Sequence, residues 1–162
     1  MKTTPRQKPD ARGLRIAVLH AAFNEEVVAG LVRGAREALK EMGAAEKDVE
    51  LIQVPGAFEL PLAARAAAHF GRFDAVVALG AVIRGETDHY EHVAREVSAG
   101  LAAVARESMV PVGFGVLTVE KEAQAAARAR PGRENKGAEA ARAAVSMVHV
   151  MREMRGTRPP VE

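Results

Sequence analysis

Apolar residues fall along this chain in two alternating rhythms. Residues 14–19 (LRIAVL) form a short, β-branched apolar run without regular polar alternation, and similar runs recur at 49–54, 75–83 and 110–117. Such runs predict strands covered on both faces, as in a parallel sheet. Between them the spacing changes to that of helices. After Phe23 and Asn24, the residues Val27, Leu31, Ala35 and Leu39 repeat every four positions until Gly43, which predicts an amphipathic helix with Asn24 as its cap. Glu25 and Glu26 occupy its first turn, where the helix dipole favours carboxylates. A second helix is predicted from about Leu60, with Pro61 in its first turn, to Phe70 and Gly71. A third runs from about Tyr90 to Arg106, and a fourth is capped by Thr118 and reaches Ala129, before the break at Pro131 and Gly132. The last, alanine-rich, runs from about Lys136 to Met154.

Strand and helix alternating at intervals of some 30 residues is the βαβ signature, and right-handed crossovers then place helices on both faces of a parallel sheet. The predicted fold is a three-layer αβα sandwich of flavodoxin-like type with four parallel strands. Its 162 residues suit one domain, here 14–156, between a flexible basic tail at 1–13 and a short tail at 157–162. The flat, small-residue face of the last helix suggests contact with a neighbouring subunit.

Composition narrows the function classes. The chain has no Cys, hence no disulfide framework, thiolate metal site or cysteine nucleophile, and the expected setting is cytoplasmic. No apolar run approaches the length of a spanning helix, and the amino terminus lacks the pattern of a signal peptide, so no membrane role is expected. The formal charge is +2, but Lys2, Arg6, Lys8 and Arg12 crowd into the tail against Asp10 alone. A basic tail is not a basic folded face, and nucleic-acid binding is not expected. No nucleophile elbow, phosphate-binding P-loop or dinucleotide fingerprint is present.

The chemistry concentrates where strands end. In an open parallel sheet, ligands bind outside the carboxyl ends of the strands. With five Phe, one Tyr and no Trp, the chain has few rings, yet Phe23, Phe58, Tyr90 and Phe114 all map near predicted strand ends. Together they suggest a pocket for a planar ring, although any one of them also fits the closing edge of a core. The loop 84–89 (RGETDH) joins a strand to a helix. Gly85 permits close backbone approach, Thr87 supplies a hydroxyl, and free N–H groups at a helix start favour an anion such as phosphate. Arg128 is placed to reach such an anion, or else is an ordinary solvated arginine. His89 is the only one of five histidines in a predicted ligand loop, and a histidine both takes and gives a proton near neutral pH. It also fits as a polar residue at a helix start. His89 and His92, with Asp88 and Glu91 between them, fan around that start instead of converging, so no metal is expected.

Taken together, Phe23-Asn24, VPGAFELP at 54–61, GAVIRGETDHYE at 80–91, PVGFGVLT at 111–118, Arg128 and NKGAEAA at 135–141 resemble the 6,7-dimethyl-8-ribityllumazine synthases, over about residues 14–150. The resemblance implies condensation of 5-amino-6-(D-ribitylamino)uracil with 3,4-dihydroxy-2-butanone 4-phosphate, releasing phosphate and water, in riboflavin biosynthesis and without metal or organic cofactor. It implies that Phe23, with Asn24 beside it, stacks on the pyrimidine, that Ala57, Phe58 and Glu59 engage the ring and its ribityl chain, and that backbone groups of Ala81, Val82 and Ile83 read the ring edge. Phosphate would lie against Gly85, Glu86 and Thr87, through backbone amides, and against Arg128. His89 would shuttle protons, Phe114 would close the pocket from an adjacent subunit, and Lys136 and Glu139 would be nearby polar groups. It further implies a homopentamer with sites at subunit interfaces, twelve such pentamers forming a 60-subunit icosahedral shell in some members. Residues 130–134 (RPGRE) differ from the GTKAGN-like loop of some shell-forming members and leave that choice open. The competing reading is a homologue of reduced activity that binds a flavin or lumazine or builds a shell; the intact Phe23, His89 and Arg128 argue against it.

Overall fold

The computed structural model describes residues 8–156. In chain order the elements are β1 (Ile16–Ala21), α1 (Glu25–Glu41), β2 (Val49–Val54), α2 (Leu60–His69), β3 (Ala75–Ile83), α3 (His89–Ser108), β4 (Val112–Val119), α4 (Glu122–Arg128) and α5 (Lys136–Gly156). The four strands form one parallel sheet in the order β2-β1-β3-β4. Helices α1, α4 and α5 cover one face and α2 and α3 the other, which gives the three-layer flavodoxin-like sandwich.

Alternation along the strands divides the core. On β1, Ile16 and Val18 join Val77, Leu79 and Ala81 of β3 under α1 and α5. Ala17 and Leu19 face the other way, with Val76, Ala78 and Val82, toward α2 and α3. The inner strands β1 and β3 are therefore apolar on both faces, as the unbroken runs predicted. The outer two are not covered on both faces: Leu51 on β2 and Phe114 and Thr118 on β4 are exposed.

Several local expectations need correction. Asn24 does precede α1, but its φ of 59° puts it in the left-handed region that asparagine tolerates, and its side chain does not cap the helix. Its Nδ2 instead donates to the Ala81 carbonyl at 2.8 Å, tying the end of β1 to β3. Thr118 caps nothing, because the long β3 offers β4 a ladder partner as far as Val119. At α4, Gln124 Oε1 reaches back to accept from the N–H groups of Glu120 and Lys121. The small-residue face of α5 is not left for a neighbour. Ala138, Ala140, Ala141, Ala144 and Val145 are buried within the chain, and a Cβ added at Gly137 would collide with the Leu31 carbonyl of α1. The inner end of the segment expected as a tail packs against the body of the chain. Ala11 is buried, its N–H donates to Met42 O at 2.8 Å, and the Asp10 carbonyl meets Nε2 of His149 on α5. The remainder of the tail (1–7) and the segment 157–162 lie outside the described residues.

Asn135 is the one buried polar side chain among the described residues. Its Oδ1 accepts from the N–H groups of Gly137 and Ala138 at 2.9 and 3.1 Å, which caps α5. Its Nδ2 donates to the carbonyls of Gly30 and Arg130 at 3.1 and 3.0 Å, which fastens that helix start to α1.

Candidate active site

The ends of β1, β2 and β3 open onto a cavity of about 800 Å³. The first strand delivers Phe23 and Asn24, and the second delivers Pro55 and Gly56 followed by the single helical turn Ala57–Glu59. The third strand forms the floor with Ala81, Val82 and Ile83, then turns through Gly85 and Thr87 into His89 at the first residue of α3. Its volume lies in the usual range for small-molecule sites. Another hollow, of about 610 Å³ between α1 and β2, is lined mainly by Arg33, Arg36, Glu37, Lys40 and Glu46 and has neither ring nor histidine in its wall.

The walls divide chemically. Phe23 is 72% exposed and Phe58 60% exposed, so each presents a bare ring to the opening. Opposite them, Gly85 and Thr87 form an open turn, and Thr87 Oγ1 accepts from the His89 N–H at a long 3.4 Å. Asp88 stands at the N-cap position of α3 without a side-chain cap bond, and among the described residues no hydrogen bond occupies the N–H groups of Gly85, Glu86 and Thr87, which leaves the turn open to an anion. Glu59 brings a carboxylate to the ring side. Among the described residues no cluster of three or more His, Asp or Glu side chains is arranged to hold a metal ion.

Residues 13–152 of the chain match the family model for 6,7-dimethyl-8-ribityllumazine synthase. The chain belongs to this family. It is 49% identical over 154 residues to the 6,7-dimethyl-8-ribityllumazine synthase of Halorhodospira halophila, which covers 95% of this chain and 99% of that protein. It is 45% identical over 145 residues to the one from Nitratidesulfovibrio vulgaris, covering 90% of this chain and 93% of that protein.

Against the lumazine synthase pattern, the cavity gathers most of the residues singled out in the sequence but not all. Phe23, Asn24, Ala57, Phe58, Glu59, Ala81, Val82, Ile83, Gly85, Thr87 and His89 share its wall. Glu86 lies on the turn but not on the wall. Phe114, Arg128 and Lys136 line a separate shallow depression of about 240 Å³ along β4, the far edge of the sheet. Phe114 is thus not at a strand end; it sits inside β4 beside Ala78 and is 49% exposed. Arg128 donates to the Gln124 carbonyl at 2.9 Å, and Lys136 is paired with Glu139 at 2.8 Å. Sequence reasoning missed His92 and Glu96 as cavity residues. They follow His89 by three and seven positions, the spacing of one helix face, which is the signal that would have found them.

Proposed function

We propose that this transferase condenses 5-amino-6-(D-ribitylamino)uracil with 3,4-dihydroxy-2-butanone 4-phosphate to 6,7-dimethyl-8-ribityllumazine in riboflavin biosynthesis. The observation that carries the reading is a single cavity holding a bare ring, a carboxylate, an open anion turn and His89. Those are the complements of a planar heterocycle, a polyol, a phosphate and a proton-transfer step.

Phe23 stacks on the pyrimidine, Asn24 lies beside it, and Ala57, Phe58 and Glu59 hold its substituents. Backbone groups of Ala81, Val82 and Ile83 meet the ring edge. Phosphate rests on the amides of Gly85, Glu86 and Thr87. The aromatic amine adds to the ketone and loses water, phosphate leaves, and the ribityl-bearing nitrogen closes the second ring with loss of another water. Each stage moves protons to or from nitrogen and oxygen, and His89 carries them. Holding two substrates together contributes on the order of 7 kcal/mol or more, and positioned acid–base help roughly a hundredfold or more.

The cavity is completed by a second copy. Phe23 and Phe58 are uncovered on one side of the chain, while Phe114, Arg128 and Lys136 are gathered on another, where the chain's own His89 does not line the hollow. In a pentamer the β4 depression of one copy closes the cavity of the next, with Phe114 over the ring, Arg128 on the phosphate, and Lys136 and Glu139 near it. The cytoplasm, a reducing compartment, suits a chain without Cys.

The test mixes both substrates with purified protein and follows lumazine fluorescence above the uncatalysed rate, alongside mass measurement in solution. His89→Ala and Arg128→Ala proteins are then unfolded together and reassembled. Regained activity in the mixture supports a shared site, because some interfaces then hold an intact His89 facing an intact Arg128. No regain refutes sharing, and no lumazine from the unaltered protein refutes the function.

A further inference from the structure

We propose that Arg84 is a positioning residue for this reaction: it clamps the first turn of α3 to the end of the sheet and so fixes where His89 stands over the anion turn. The inference rests on the role given to His89 above. Arg84 follows β3 directly, and its backbone N–H donates to the Val119 carbonyl at 2.9 Å, which extends the β3–β4 ladder by one step. Its guanidinium carbon lies 4.8 Å from the centre of the Tyr90 ring, and its Nη2 lies 3.5 Å from Glu91 Oε1. Arg84 thus spans the turn 85–88 and grips the two residues immediately after His89.

His89 is otherwise loosely held. It is exposed and opens α3, where backbone amides have no partner within the helix. The first fully buried residue of α3 is Val97, two turns further on. Tyr90 and Val93 are only half-buried against the core. The bonds within the turn, from the N–H groups of Glu91 and His92 to Asp88 O and from the His89 N–H to Thr87 Oγ1, tie the turn to the helix but not the helix to the sheet. Arg84 supplies that missing link. It is not on the cavity wall, whereas His89 and Tyr90 are, so it acts through them. An exposed ion pair at this distance adds little to stability. What it and the ring contact supply is orientation, for which a planar guanidinium is better suited than an ammonium.

The experiment makes Arg84→Met and Arg84→Lys, each in the unaltered protein and in the His89→Ala background, and measures kcat, both KM values, the thermal midpoint and the assembly mass. Arg84→Met is expected to lower kcat about tenfold, as a small misplacement of a reacting group does. KM, midpoint and mass should stay near their starting values, and Arg84→Lys should recover part of the loss. In the His89→Ala background the same change should cost nothing further. Unchanged kcat, an equal loss without His89, or a loss expressed in KM for the phosphate substrate each overturns the proposal. Should Arg84→Met fail to assemble, Arg84→Lys carries the same cycle. One readout needs no turnover: the ring signal of His89 in ¹³C-histidine-labelled protein, identified by its disappearance in His89→Ala, should move or broaden in the Arg84 variants. An unmoved signal overturns the proposal. An inactive but unaltered protein would instead refute the function proposed above.

Discussion

Replacing Asn135 by alanine should weaken the fold more than any exposed change in the chain. The side chain is 2% exposed and makes four hydrogen bonds, two capping α5 and two to the carbonyls of Gly30 and Arg130. Losing the cap costs about 1 kcal/mol. Each of the two bonds to a carbonyl contributes about 1 kcal/mol net, and more where no water takes the donor's place. The sum is about 3 kcal/mol, which in a domain of this size lowers the thermal midpoint by roughly 6–12 °C. Circular dichroism melts at fixed protomer concentration would measure it, since assembly also shifts the midpoint. Asn135→Asp separates the two halves. It keeps the capping acceptor, removes both donors and sets a carboxylate against two carbonyls, so it should gain little over alanine. A Cβ at Gly34 would overlap the Asn135 amide, so Gly34→Ala should be severe alone and mild beside Asn135→Ala. A midpoint for Asn135→Ala within about 2 °C of the starting protein, or an Asn135→Asp protein as stable as the original, would refute the reasoning.

His89→Ala should slow turnover about a hundredfold while leaving some activity, with an unchanged melt because the side chain is exposed; undiminished rates would remove His89 from its role. Phe23→Ala should raise KM for the aminouracil several-fold, through loss of roughly 1 kcal/mol of ring contact, with folding unaffected; isothermal titration with the product lumazine checks it directly. Gly137→Ala should destabilise by about 1–3 kcal/mol, the usual cost of overpacking, because the new methyl meets the Leu31 carbonyl; urea denaturation reads the loss. Burial holds the His20 imidazole below its ordinary pKa, so the folded chain favours the neutral ring. The unfolded chain then binds the proton more readily, and this contribution to stability is complete above about pH 6.5 and lost as pH falls below it. Melts between pH 7.5 and 5 should show a decline that His20→Gln makes shallower, and an equal slope in the variant would exclude His20 as its source.

The elements that were legible in the sequence are those whose signal is local. The unbroken apolar runs located the inner strands because a strand covered on both faces has no polar position to show. Proline in the first turn of α2 and glycine near the ends of α1 and α2 marked helix limits through backbone geometry alone. The place of 80–91 was legible for the same reason: a turn that follows a parallel strand lies at the carboxyl end of the sheet, where the cavity opens. Where the sequence misled, the competing group lay far along the chain. Asn24 and Thr118 both look like caps, but Ala81, 57 residues away, takes the amide of the first, and the length of β3 keeps the second in the ladder.

By itself the sequence determined the αβα class, the family and a cluster of ring, turn and histidine at strand ends, because periodicity and turn chemistry act over a few residues. Only the tertiary structure decided that Phe114, Arg128 and Lys136 lie apart from His89, that the alanine face of α5 is consumed by α1 and β4, and that Asn135 fastens helices more than 100 residues apart. Those outcomes depend on which surfaces meet when the sheet closes in the order β2-β1-β3-β4, and contacts of that range leave no period along the chain.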